Sequence, residues 1–135
     1  MAAGLLALGI TKGDRVGIWA PNCQEVFFWF FLCRLENLLS YYYELKWILT
    51  QYATALIGAI QVNINPAYKS NELSYSLNKV GCKALIMSET YKSQNFVETL
   101  LTVCPEISSE NRGQLNLKNL PHLKNLILIS EKEYK

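Results

Sequence analysis

Residues 26–46, VFFWFFLCRLENLLSYYYELK, are the feature that any fold of this chain has to accommodate. They open on VFFWFFL, an apolar run with no amphipathic period, and they hold half of the chain's aromatic residues. Their flanks are ordinary. Upstream, Pro21 closes a short apolar stretch, and Asn22 with Glu25 three residues later forms the reciprocal N-cap pattern that satisfies orphaned amides at a helix start. Downstream, a helical pattern resumes at Trp47, with Trp47, Leu49, Ala53, Leu56 and Ile57 available to face a sheet. Joining Glu25 directly to Trp47 gives a capped helix inside a plain strand-helix-strand unit. A helix running unbroken through the segment would instead turn the downstream face by roughly 60° and displace it by about 32 Å. A looped-out segment would expose an apolar patch of a kind that soluble monomers avoid. The segment is therefore read as foreign to the unit around it. Every valine codon begins with GT and one lysine codon ends in AG, so Val26 and Lys46 can encode the two ends of an intron retained in frame. An apolar loop or partner-binding helix particular to this lineage is the alternative.

The rest of the chain alternates strands with helices. Ala2, Leu5, Leu6 and Leu8 followed by Gly9 form the last turns of an amphipathic helix. A Gly-Asp turn leads into RVGIWA, a strand buried on both faces. IGAIQVNINP supplies a second strand, 59–64, ended by Asn65-Pro66. In YKSNELSYSLNKVG, Ser70 or Asn71 caps a helix, Leu73, Leu77 and Val80 recur at helical spacing, and Gly81 ends it. CKALIMS is a third strand. TYKSQNFVETLLTVC is read as a helix with Phe96, Leu100 and Val103 on one face, stopped by Pro105. Residues 106–123 read as a polar loop, and NLILIS is a fourth strand. Strands separated by helices of this length predict an α/β fold with a parallel sheet and crossover helices.

With 135 residues, half of them hydrophobic, the chain suits one small domain with a real core. A net charge of +2 with no basic stripe argues against a nucleic-acid partner. Cys23, Cys33, Cys82 and Cys104 lie far apart, with no C-x-x-C pair, which favours reduced, buried thiols and an intracellular or organellar setting. The opening apolar run has no basic segment ahead of it, so it is a helix end and not a signal peptide. Residues 47–68 carry no formal charge, but Gln51, Gln61, Asn63, Asn65 and Pro66 interrupt them, and no transmembrane span is expected.

KGDRVGIWAPN, GAIQVNINPAYKSNELSYSLNKVGCKALI and the closing strand together resemble the N-terminal part of adenylate-forming, AMP-binding enzymes. Within that family the likeness is to medium-chain acyl-CoA ligases, and it takes in the chain apart from the 21-residue segment. The resemblance implies a part of the family's large N-terminal domain spanning 1–135, with the foreign insert at 26–46. For the whole enzyme it implies ATP, magnesium, CoA and a fatty acid: an acyl adenylate forms first, then the CoA thiol displaces AMP. It also implies a mitochondrial setting. Because Met1 lies inside a helix by this reading, any transit peptide would lie upstream.

The residues that such chemistry needs are missing from the sequence as read. The seven glycines, at 4, 9, 13, 17, 58, 81 and 113, form neither a G-x-G-x-x-G nor a Walker loop. No catalytic, cofactor-binding or metal residue is assigned, and the chain alone is expected to be inactive. Asp14, the one aspartate, reads as a turn or capping residue, not a metal ligand. His122, the one histidine, reads as solvated, as do Lys12 and Arg15 flanking the first strand. Glu72 serves the positive end of its helix. The competing expectation is a non-catalytic interaction or membrane-contacting module built on Leu35, Leu38, Leu39 and Tyr42. Glu36 and Glu44 speak against an anionic membrane as its partner.

Overall fold

The structure, a computed structural model, describes residues 1–21, 38–109 and 115–130, and the side chains of these except in 38–46. Asn22, Glu25 and the run VFFWFFL lie outside the described residues. The elements are α1 (Ala2–Ala7), β1 (Arg15–Trp19), α2 (Leu38–Ile57), β2 (Ile60–Asn63), α3 (Ser70–Val80), β3 (Ala84–Ser88), β4 (Thr90–Tyr91), β5 (Gln94–Asn95), α4 (Phe96–Val103) and β6 (Asn125–Ile129), with a 3-10 turn at Pro105–Ser109. Four strands form a parallel sheet in the order β2-β1-β3-β6, so the α/β expectation is borne out.

Parallel neighbours cannot be joined by tight turns, so each connection crosses a face of the sheet. α1 and α2 cover one face, where Leu5, Ile10, Val16, Ala53, Ala84, Ile86 and Ile129 pack together. α3 and α4 cover the other, against Trp19, Leu85 and Met87. β1 and β3, at the centre, are apolar and buried along both faces, as the near-continuous runs VGIW and ALIM predict. Gly17 is needed there because a Cβ would stand 3.0 Å from Ile64 Cδ1 and 3.2 Å from Leu85 Cδ1. Gly9 and Gly81 end α1 and α3 with φ of 77° and 67°, the left-handed closure expected of them.

Several elements differ from the sequence reading. α2 begins nine residues ahead of Trp47, inside the segment read as foreign. Its docking face is also different: Thr50, Ala53 and Thr54 are buried and Ile57 packs on the core, while Leu49 and Leu56 are exposed, Leu56 at 79%. Threonine and alanine are compact enough to let the helix approach the sheet, and the Thr54 hydroxyl is satisfied by the Thr50 carbonyl at 2.9 Å. Val80 is likewise exposed, one turn past the buried Leu73 and Leu77. Residues 90–95 are an antiparallel hairpin and not helix. Asn95 then caps α4, its side-chain oxygen accepting from the Glu98 amide at 3.2 Å, and the Asn-x-x-Glu pattern is the signal for that start. α3 begins at Ser70, with Lys69 as the preceding cap residue. Its first turn is closed by Glu72, whose carboxylate accepts from the Lys69 amide at 2.7 Å, as expected of Glu72.

The stretch read as a polar loop carries four leucines, Leu115, Leu117, Leu120 and Leu123, all buried in the larger core. They roof α3 and α4 without regular structure, and Asn119 Nδ2 donates to the Val103 carbonyl at 2.6 Å to hold the stretch against α4. Leu117→Ala is expected to destabilise the chain by about 2–5 kcal/mol, the range for emptying a buried leucine site. Leu56→Ala should stay within about 0.5 kcal/mol of the parent, as exposed substitutions do. Urea midpoints of the two variants check both; equal effects would refute the assignment of these faces.

Candidate functional site

Open α/β sheets bind ligands outside the carboxyl ends of their strands, where the winding direction reverses. Here β1 connects outward to β2, and α3 then carries the chain back past β1 to β3. The reversal lies between β1 and β3, at Trp19-Ala20-Pro21 and Ser88-Glu89. Trp19 fills that position. Its indole stacks on Phe96 with centroids 4.0 Å apart and planes 14° from parallel, and its Nε1 donates to the Asn65 carbonyl at 3.1 Å. Asn65 in turn folds the strand exit, its Oδ1 accepting from the Ala67 amide at 2.9 Å. This bears out the shaping role expected of Asn65-Pro66.

The loops around Trp19 are tied together. Gln94 Nε2 donates to the Tyr68 carbonyl at 2.8 Å, and Lys69 Nζ donates to Gln94 Oε1 at 3.2 Å, linking the β2–α3 turn to the β4–β5 hairpin. The Phe96 amide donates to the Glu89 carbonyl at 2.9 Å, which seats the start of α4 beside the end of β3. Ser88 Oγ is fully buried with no hydrogen-bond partner among the described residues. The carboxyl edge therefore offers an apolar wall and rigid turns, with no general base or metal-ligand set among the described residues.

The titratable residues singled out from the sequence lie elsewhere. Asp14 sits at the amino edge of the sheet, where its Oδ2 accepts from Lys83 Nζ at 2.6 Å, the Thr11 amide at 2.8 Å and the Thr11 hydroxyl at 3.0 Å. Lys83 also donates to the Gly9 carbonyl at 2.8 Å, so the pair pins the end of α1 to β3. The turn role expected of Asp14 is borne out. Arg15 is more than a solvated flank: its Nε donates to the Val80 carbonyl at 3.0 Å. Lys12 is exposed, and so is His122, which lies near Gly81 at this same edge. The structure brings Asp14 and Lys83 together but leaves His122 far from the carboxyl edge. No group of three potential metal-binding side chains occurs among the described residues, nor is any helix there long and apolar enough to cross a membrane.

A family model described as AMP-binding enzyme matches residues 43–133. The chain belongs to the AMP-binding enzyme family. This AMP-binding chain is 40% identical over 128 residues to the medium-chain acyl-CoA ligase ACSF2, mitochondrial, of Bos taurus, in an alignment taking in 95% of the chain and 17% of the relative. It is 35% identical over 132 residues to the protein of the same name in Danio rerio, covering 98% of the chain and 18% of the relative. The chain thus spans about a sixth of these relatives' length. Among solved structures, the Mycobacterium tuberculosis fatty acyl CoA synthetase superimposes with a TM-score of 0.61 at 21% identity, over 95% of this chain and 18% of that one. The acetoacetyl-CoA synthetase from Streptomyces lividans gives 0.63 at 21% identity, over 99% and 16%. These likenesses confirm the fold, and the resemblance drawn from KGDRVGIWAPN and the strands that follow holds at the level of the family.

Two buried groups set the chemistry available to an AMP-binding chain of this extent. Burial pushes the Cys82 thiol up to about 11 despite the Arg15 charge nearby, and burial together with Glu106 does the same to Cys104. Both should react with a disulfide reagent far more slowly in native buffer than in urea, with rates climbing only in strong alkali. Rapid labelling of either at neutral pH would contradict their placement. For Asp14, partial burial raises the pKa, but the hydrogen bonds from Lys83 and Thr11 outweigh it and hold the carboxyl below its ordinary value. A depressed folded-state pKa gives stability that is present above the ordinary carboxylate range and is lost as pH falls through the folded value. Asp14→Asn should cost about 1 kcal/mol at neutral pH, since the ion pair is partly exposed. The difference from the parent should vanish in strong acid, and urea titrations at both extremes measure it.

Proposed function

We propose that this chain is a scaffold portion of an ATP-dependent, medium-chain fatty acid:CoA ligase. In the whole protein the reaction runs through an acyl adenylate with loss of pyrophosphate, followed by thioester formation as the CoA thiol displaces AMP. The observation that carries the reading is the 40% identity to a medium-chain acyl-CoA ligase across nearly all of this chain. The portion contributes a twisted sheet, the Trp19–Phe96 wall and the turns tied through Gln94.

ATP, magnesium and CoA do not fit the residues described. The carboxyl edge is closed by an indole, the glycines form no phosphate cradle, and the lone aspartate is spent on Lys83 at the opposite edge. No step of the reaction is therefore assigned to this chain's side chains. For the whole enzyme we place the work in mitochondria, on the strength of the relatives' names. The interaction-module reading gains no observation, since its residues Leu35, Leu38, Leu39 and Tyr42 lie outside the side chains described.

The test is pyrophosphate release from ATP in the presence of magnesium, CoA and a medium-chain acid. The 135-residue chain is expected to give none above buffer, and acid-dependent turnover by it would overturn the scaffold assignment. A longer protein containing this sequence should release pyrophosphate only when the acid is present; its failure across acids of all chain lengths would overturn the ligase assignment.

A further inference from the structure

Helix α2 is longer than the crossover it forms. β1 has five residues and β2 four, so the strands are about 13–17 Å deep at 3.3 Å per residue. Residues 47–57 alone supply about 16 Å of helix at 1.5 Å per residue, enough to return from the carboxyl to the amino edge. Every described α2 side chain that docks on the sheet face, Thr50, Ala53, Thr54 and Ile57, lies within that part. The helical residues 38–46 prolong it by about 13 Å more.

The family pattern breaks at the same turn. The AMP-binding model matches from residue 43, although the bovine relative aligns over 95% of the chain, which necessarily includes β1. A geometric limit and a family boundary thus coincide just ahead of Trp47.

We infer that residues 26–46 are an insertion within the β1–α2 crossover, and that the sheet assembles without them, residues 22–25 taking the helical turn now formed by 43–46. The two quartets are of equal length. Asn-Cys-Gln-Glu brings an N-cap and a carboxylate three residues later to the start of the shortened helix. Tyr-Glu-Leu-Lys lacks a capping residue and needs none where a helix continues upstream of it. This inference concerns assembly and stands or falls independently of the ligase reading.

The test is deletion of residues 26–46, which also removes Cys33, in a Cys23→Ser background so that Cys82 and Cys104 are the only thiols left. Both are buried in the sheet unit and report its assembly. A second variant carries Gly-Ser at the joint, to relieve strain between Glu25 and Trp47. Protection of both thiols by about 100-fold or more over their rate in urea, in either variant, is the expected result. Labelling at the urea rate in both variants would overturn the inference.

Discussion

Everything in this structure depends on β1 and β3 being buried on both faces. Two adjacent parallel strands with apolar side chains above and below need a helical layer on each side. That requirement fixes α1 and α2 on one face and α3, α4 and the leucine-bearing stretch on the other. Gly17 sharpens the constraint, because the side chains of Ile64 and Leu85 meet over the space its missing Cβ leaves. The strand order and the reversal between β1 and β3 follow from having to cover both faces with one chain.

The two edges of the sheet are finished in opposite ways. At the amino edge polar groups do the holding: Lys83 bridges Asp14 and the Gly9 carbonyl, and Asn125 Nδ2 donates to the Leu8 carbonyl at 3.2 Å. Such bonds repair the exposed carbonyls at the end of α1. At the carboxyl edge, stacked rings and backbone contacts close the reversal point. A portion of an AMP-binding enzyme with this division of labour supplies shape to a neighbouring site and brings no reacting group of its own.

The strands and the glycine-closed helices were legible because their signals are local: apolar runs of strand length, and glycine where φ must be positive. The family was legible because several such signals stood in order at consistent spacing. The leucine-bearing stretch was not, because Leu115, Leu117, Leu120 and Leu123 follow neither helical nor strand period, and only the tertiary fold shows what they cover. The β4–β5 hairpin was missed for a related reason. Its turn places Lys92 at φ 53°, a conformation that glycine or asparagine usually announces. On α2 the pattern of large apolar residues pointed to the wrong face, since Thr50 and Thr54 bury themselves by bonding back to the helix. At the candidate site, Asp14 and Asn65 could be read as turn residues, but the Trp19–Phe96 stack joins residues from distant elements and has no sequence signature.

The length of the first crossover has a consequence for the free energy of the chain. Residues 26–46 roughly double the connection between the end of β1 and the start of β2. Closing a flexible loop of twice the length costs only about 0.6 kcal/mol more, because the entropy of closure grows with the logarithm of length. That is no more than the net worth of one ordinary hydrogen bond. A sheet whose register is fixed by double-sided burial can therefore carry extra chain at its crossovers almost for free, whereas a single residue added within β1 or β3 would turn every following side chain onto the opposite face.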